Sequence, residues 1–165
     1  MQESRLSSVG QVNGRLKMLD GPKTKQSGLY WIYTTYTDNE LFTSTPSPKR
    51  KSVDFRNTIT RHSHRAHVCN REVQGFRLVY NGIGGLGAKG SGGLRERILD
   101  EFRGGEGMGS LAVKGSSLND LQKWRFSYVL WPEIRFEKPH EYAQFAEDIE
   151  RLWRIHFGWP VLCTK

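Results

Sequence analysis

The chain has 165 residues and a mass of 19.0 kDa, which allows one domain with a real core. With 36% hydrophobic and 12% aromatic residues it reads as an ordered domain with a polar surface, and no apolar run approaches the length of a membrane span. Lys+Arg 25 against Asp+Glu 17 gives a net charge of +8, which favours a polyanionic partner, nucleic acid first.

Residues 1–26 are polar with little periodicity, and predict an arm or a loosely packed extension. The start, Met1-Gln2-Glu3-Ser4-Arg5, has no apolar leader, and Cys69 and Cys163 are too few for a disulfide framework. Together these predict a cytoplasmic protein in a reducing environment. Residues 28–37 (GLYWIYTTYT) are aromatic and β-branched, the composition of a partly buried strand. Thr43 to Pro48 reads as a connection.

A basic block follows. Lys49, Arg50, Lys51, Arg56, Arg61, Arg65, Arg71 and Arg77 are opposed only by Asp54 and Glu72. Such a block suits a phosphate backbone, or else a solvated face that keeps the protein soluble. Within it, His62, His64, His67 and Cys69 (RHSHRAHVC) are ligand-type residues, but no second half completes a tetrahedral zinc set. The same His and Arg mixture can touch bases and phosphates without metal, so His62 and His64 join Lys49, Arg50, Lys51, Arg56, Arg61, Arg65 and Arg71 as candidate DNA contacts.

Residues 75–83 (GFRLVYNGI) predict a second strand, and 84–93 a glycine-rich turn. Apolar residues at 94, 98, 99 and 102 have helical spacing. Ser117-Leu118-Asn119-Asp120 resembles a capping box that would open a short helix, and 125–131 (RFSYVLW) predict a third strand stopped by Pro132. A last helix starts at Pro139, presents Tyr142, Phe145, Ala146, Ile149, Leu152, Trp153 and His156 on one face, and ends before Gly158 and Pro160.

Tyr30, Tyr80, Arg97 and Glu150 are residue types that phosphodiester hydrolysis asks for. A carboxylate can hold one Mg²⁺ together with waters and a substrate phosphate. A guanidinium stays charged and grips phosphate oxygens with a fork of donors. A tyrosine can take a proton from water if nearby cations lower its pKa from about 10. Taken singly, each has an ordinary reading: strand aromatics, an Arg97–Glu101 helix pair, and a Glu150–Arg154 helix pair.

The order of these pieces resembles the GIY-YIG nucleases. Gly28-Leu29-Tyr30 stands for the first motif and Tyr80-Asn81-Gly82 for the second, followed by Leu94 and Arg97, then Ile149-Glu150 and Pro160. Four features depart from the family pattern. About fifty positions separate Tyr30 from Tyr80, as in family restriction enzymes that carry an insertion there; the glycine turn is long; and Glu101 stands where the family often has His or Tyr. The family's terminal asparagine is also missing, with Cys163 nearest to it. The resemblance implies an α/β (α+β) domain over 28–165: a small three-stranded, mainly antiparallel sheet flanked by helices, with a basic insertion at about 38–74 and an N-terminal extension over 1–27.

The implied activity is a Mg²⁺ (or Mn²⁺)-dependent endonuclease acting on double-stranded DNA, in the manner of a restriction enzyme. Tyr30 would be the general base, Tyr80 its neighbour orienting water or phosphate, Arg97 the phosphate cation and Glu150 the metal ligand. A palindromic target would favour a homodimer. The alternative is a non-catalytic DNA-binding protein on a nuclease-like scaffold. A GxGxxG match at Gly82–Gly87 also resembles a dinucleotide-binding turn, but the helix begins only near Leu94, too late to meet a pyrophosphate, and the chain has too few βα units.

Overall fold

The computed structural model describes residues 5–49, 51–62, 64–85, 93–105, 109–131 and 139–164. Arg50, the glycine-rich residues 86–92 and Pro132 lie outside them. The fold is of mixed α+β type. In chain order the elements are β1 (Val9–Val12), β2 (Arg15–Met18), β3 (Gly28–Thr34), α1 (Asp38–Thr43), α2 (Phe55–His62), β4 (Glu72–Val73), β5 (Phe76–Gly84), α3 (Leu94–Arg103), β6 (Trp124–Leu130) and α4 (Pro139–Phe157). Among the described residues no helix is long and apolar enough to cross a membrane.

The main sheet has the order β4-β5-β3-β6, with every pairing antiparallel. It therefore has four strands where three were expected, because a tight turn at Gln74-Gly75 adds the two-residue β4 to β5. β3 lies in the middle and is buried along its whole length, which is why its sequence runs on in aromatic and β-branched residues without alternating. On one face Tyr30, Ile32, Tyr80, Trp124 and Phe126 form the main core with Leu94, Ile98 and Phe102 of α3. On the other, Leu29, Trp31, Tyr33 and Leu78 pack against Cys69 and Trp153 of α4, the two tryptophan rings lying 5.8 Å apart.

The N-terminal residues are not a loose arm. Asn13 and Gly14 both take positive φ (49° and 75°), the requirement of a tight two-residue hairpin turn, and β1 and β2 pair across it as a second, two-stranded sheet. Val9 and Met18 enter the main core, and Ser7 exchanges backbone hydrogen bonds of 2.8 and 2.9 Å with Phe126. That contact covers part of the β6 edge, which would otherwise present unpaired backbone groups.

The long segment between the two motifs is also built into the fold. Thr37 and Glu40 form a reciprocal capping box that starts α1 just before the expected connection. Leu41, Val53 and Phe55 from this segment are core residues. The capping box expected at Ser117 does not form. Its hydroxyl instead accepts the Thr45 N–H at 2.9 Å, and a short 3₁₀ turn (Leu121–Lys123) begins after Asp120, whose carboxylate accepts the Gln122 N–H. β4 covers only the start of β5; farther along, Leu162 N–H donates to Val79 O at 2.8 Å, bringing the C-terminal segment against this strand.

Candidate active site

The β3–β5 register sets Tyr30 opposite Gly82 and Ile32 opposite Tyr80. Tyr30 and Tyr80 are thus diagonal neighbours on one face, with ring centroids 6.2 Å apart. A Cβ on Gly82 would come within 2.5 Å of the Tyr30 hydroxyl, so the glycine of Tyr80-Asn81-Gly82 is what lets the first tyrosine lie across the second strand. A Cβ on Gly28 would collide with the Val129 carbonyl of β6. The glycines of both motifs are therefore packing requirements of the tyrosine face.

α3 runs over this face because Leu94, Ile98 and Phe102, four residues apart, are fully buried against it. Arg97 and Glu101 follow the same spacing. Glu101 has no exposed surface, and its carboxylate gathers three donors. Oε1 accepts the Tyr30 hydroxyl at 2.6 Å and lies 3.3 Å from Arg97 Nη2 in an ion pair, while Oε2 accepts the Leu111 N–H at 2.8 Å.

Burial pushes the Glu101 carboxyl above its usual range, while Arg97, Tyr30 and the Leu111 amide pull it back. Burial and the Glu101 charge push the Tyr30 phenol well above 10, and burial with Glu101 does the same to Tyr80. Burial alone would lower the Arg97 guanidinium, but Tyr30, Glu101 and Tyr80 around it outweigh that and hold it firmly protonated. The lowered pKa that a tyrosinate base at Tyr30 would need is therefore not what this environment provides. Desolvation is larger here than the pull of the one nearby cation.

α4 contributes a second carboxylate–guanidinium pair. Arg154 Nη2 donates to Glu150 Oε1 at 2.9 Å, and its Nε donates to Asn81 Oδ1 at 2.9 Å. Asn81 is the middle residue of the second motif and is fully buried. Cys163 lies at the same junction, with Sγ 3.3 Å from Asn81 Oδ1 and 3.6 Å from Arg154 Nη2. Burial raises the Glu150 carboxyl, Arg154 lowers it, Glu147 raises it and Arg97 lowers it. The Arg97 charge thus reaches Glu150 from another helix, and both charges act on Tyr80. The Glu150 side chain is 17% exposed and that of Arg97 25%, against none for Glu101.

All four nominated residues therefore belong to one region, and both ordinary helix pairs also form. Sequence reasoning missed three further members: Glu101 as its centre, Arg154 as the link from Glu150 to β5, and Asn81 as the anchor of that link. The i,i+4 spacing of Arg97–Glu101 and of Glu150–Arg154 was the available signal, but spacing cannot say that the two pairs face one tyrosine.

The basic block is placed differently. Lys49 Nζ donates to the carbonyls of Arg103 and Gly104 at 2.6 and 3.3 Å, closing the C-terminal end of α3. Arg56 donates to Phe42 O at 3.1 Å and lies over the Phe42 ring. Arg65 lies over Trp159 and Arg71 over Phe157. Arg77 pairs with Asp38. Lys51 is exposed with a positive φ of 66°. Arg61 and His64 are exposed, whereas His62 is buried in α2, its imidazole pKa lowered by burial and by Arg65, Arg61 and Arg154.

His67 is exposed and its Nε2 donates to Ile155 O at 2.8 Å, whereas Cys69 is buried. Among the described residues no three His, Cys, Asp or Glu side chains are grouped to hold a metal ion. Comparison with family models, with curated proteins and with solved structures finds no match for this chain.

Proposed function

We propose that this protein is a metal-dependent endonuclease of GIY-YIG type that hydrolyses phosphodiester bonds of double-stranded DNA, with Tyr30, Tyr80, Arg97 and Glu150 in one site. The observation that carries this reading is convergence. Residues nominated from four separate stretches of sequence are linked by contacts: the rings of Tyr30 and Tyr80 lie 6.2 Å apart, Tyr30 donates to the Glu101 carboxylate that pairs with Arg97, and Glu150 is tied through Arg154 to Asn81, the neighbour of Tyr80.

Arg97 is permanently charged and partly exposed, so its fork of donors suits the oxygens of a scissile phosphate. Glu150 offers hard oxygen donors on a partly exposed carboxylate, and a single carboxylate is a sufficient protein anchor for Mg²⁺ when waters and substrate phosphate complete its shell. When bound there, the ion would supply Lewis-acid stabilisation of the departing oxygen. Arg154 holds Glu150 on its other flank and ties it to β5 through Asn81, which fixes the carboxylate relative to the tyrosines. Tyr30 works as a neutral hydroxyl rather than as a tyrosinate, and Tyr80, slightly exposed, is the tyrosine placed to orient water or phosphate.

The second reading, a DNA-binding protein without catalysis, is favoured by one observation: Tyr30 has no exposed surface. The two separate on supercoiled plasmid. An endonuclease converts it to nicked or linear DNA with Mg²⁺ or Mn²⁺ and leaves it intact in EDTA. Retardation of the plasmid with no cutting in any metal would establish the non-catalytic reading instead.

A further inference from the structure

Glu101 is the most enclosed charged group of the tyrosine face, and it sits where no general requirement of phosphodiester hydrolysis calls for a carboxylate. Its burial has to be balanced by partners, since an unpaired buried carboxylate is strongly unfavourable. Those partners are two of the residues assigned to the reaction, the Tyr30 hydroxyl at 2.6 Å and the Arg97 guanidinium at 3.3 Å, with the Leu111 amide closing the second oxygen at 2.8 Å.

We propose that Glu101 is a positioning residue of the site: it takes up the single proton of the Tyr30 hydroxyl and one edge of the Arg97 guanidinium. Tyr30 is then left as a hydrogen-bond acceptor, and the remaining donors of Arg97 are free to meet a phosphate. The inference rests on the nuclease reading. A tyrosine hydroxyl has one proton to give. With that proton held by Glu101, Tyr30 meets a neighbouring water or hydroxyl through its lone pairs, and a proton received there is matched by transfer of its own proton to Glu101 Oε1, so the phenol stays neutral throughout. Arg97 is held on the same carboxylate oxygen, so a shift of either partner is felt by the other.

A glutamine at 101 cannot reproduce this arrangement. If its oxygen faces Tyr30 and Arg97, its NH₂ opposes the Leu111 N–H, donor against donor. If it is turned over, the NH₂ faces Tyr30 and converts the tyrosine from donor to acceptor on that side. In the turned orientation the proton of Tyr30 is redirected, and in both the charge of Arg97 loses its counterion. Aspartate keeps the charge but is one methylene short of its three donors.

The pH dependence follows the same geometry. The groups that face Glu101 are Tyr30 on β3, Tyr80 on β5, Arg97 and Asp100 on α3, and Cys163 of the C-terminal segment. The phenols and the thiol are neutral across mildly acidic pH, so protonation of the Glu101 carboxyl itself, raised by burial, releases Tyr30 as pH falls.

The test is single-turnover cleavage of plasmid by wild type, Glu101→Gln and Glu101→Asp over mildly acidic to neutral pH, alongside DNA affinity. The expected result is a loss of about 100-fold or more in the cleavage rate for Glu101→Gln, with DNA affinity within about threefold of wild type. Glu101→Asp should recover at least about a tenth of the wild-type rate, and the acid limb of the wild-type profile should be absent in the glutamine variant. Cleavage by Glu101→Gln within about threefold of wild type, a loss lying wholly in DNA affinity, or an aspartate variant no better than glutamine would overturn the inference while leaving the nuclease reading intact.

A second readout does not depend on turnover. With ¹³Cζ-labelled tyrosine, and the Tyr30 signal assigned from Tyr30→Phe, that signal should move as pH falls through the Glu101 titration and should be fixed at the shifted position in Glu101→Gln. A signal flat with pH and unmoved by the substitution overturns the clamp itself. If Glu101→Gln does not fold, the wild-type titration and Glu101→Asp decide. A wild-type protein inert on DNA with Mg²⁺ and Mn²⁺ sinks the nuclease reading, and leaves the NMR titration to judge the clamp alone.

Discussion

Two arginine–glutamate pairs, one on α3 and one on α4, have the same i,i+4 spacing and different placements. Arg97–Glu101 puts its carboxylate at zero exposure, surrounded by Tyr30, Arg97 and the Leu111 amide. Glu150–Arg154 leaves its carboxylate 17% exposed and uses the guanidinium to reach inward, to Asn81. The inner pair has an accessible cation and a buried anion; the outer pair has a partly accessible anion and a cation committed to β5. Burial, rather than spacing, decides which half of each pair is presented to a partner. Together they offer one cation and one carboxylate whose charges both act on Tyr80, a combination suited to a phosphate and a divalent metal.

Removing the outer anion should have the largest effect. Glu150→Gln keeps the shape and much of the bonding to Arg154 but withdraws the charge on which a divalent ion would sit. Cleavage should fall by about three orders of magnitude or more while DNA still binds. A variant that cuts at near wild-type rate would hand the metal role to Glu147 on the same helix and break the symmetry between the pairs.

The inner cation comes next. Arg97→Ala should cost about 10²- to 10³-fold in rate, as for other fixed groups that meet developing charge. Arg95 serves as the control: it lies two residues away on α3, but its guanidinium donates to Pro22 O at 3.1 Å, so Arg95→Ala should stay within about threefold. Equal losses would mean that α3 contributes a diffuse positive field and that Glu101 holds nothing special.

The basic segment tests whether charge counted along the sequence is charge available to DNA. Lys49 closes the C-terminal end of the helix that carries Glu101, bonding the carbonyls of its last residue, Arg103, and of Gly104. Lys49→Ala should therefore lower Tm by about 2–4 °C and leave the salt dependence of DNA binding as it is. Arg61 is exposed on α2, and Arg61→Ala should make the slope of log K against log salt shallower by about 0.9 if it meets a phosphate. An unchanged slope for Arg61 together with a shallower one for Lys49 would reverse this assignment.

The smallest expected effect reports on the closure of the outer pair. Cys163 is buried beside Arg154 and Asn81, and burial pushes its thiol up to about 12. Cys69 is buried too, and burial raises its thiol. In the native protein at pH 8 neither should react with a thiol-specific disulfide reagent, and both should react on unfolding. Ready labelling of Cys163 would show that α4 opens away from β5.

The parts of this architecture that the sequence states most plainly are those with long, periodic patterns. Residues 94–102 and the spacing from Tyr142 to His156 predict α3 and α4, although Leu152 and His156 of the expected α4 face are exposed, and the three aromatic runs appear as β3, β5 and β6. Short signals were harder to read. Asn13-Gly14 marks a hairpin turn inside an otherwise polar stretch, and Thr37-x-x-Glu40 marks a helix start, yet both act over a few residues and are easily outweighed by their surroundings. The site was nominated by residue type and order, which bring Tyr30, Tyr80, Arg97 and Glu150 forward but cannot report burial. Glu101 therefore read as a mismatch where the structure makes it the hub of the tyrosine face, and Tyr30 read as a base whose cations would lower its pKa where desolvation dominates. The basic block was legible only as charge: a charge count does not show that Lys49, Arg56, Arg65, Arg71 and Arg77 also meet the protein's own carbonyls, rings or carboxylates.

The claim that the inner cation and the outer anion serve a single site is tested most directly by a double-mutant cycle on single-turnover plasmid cleavage, with wild type, Arg97→Ala, Glu150→Gln and the double variant measured at one Mg²⁺ concentration. Groups that stabilise one transition state are strongly non-additive, so the double variant should cut no more than about tenfold more slowly than the worse single variant. Losses that multiply, leaving the double variant slower by the full product of the two single effects, would place Arg97 and Glu150 in independent roles and contradict the account.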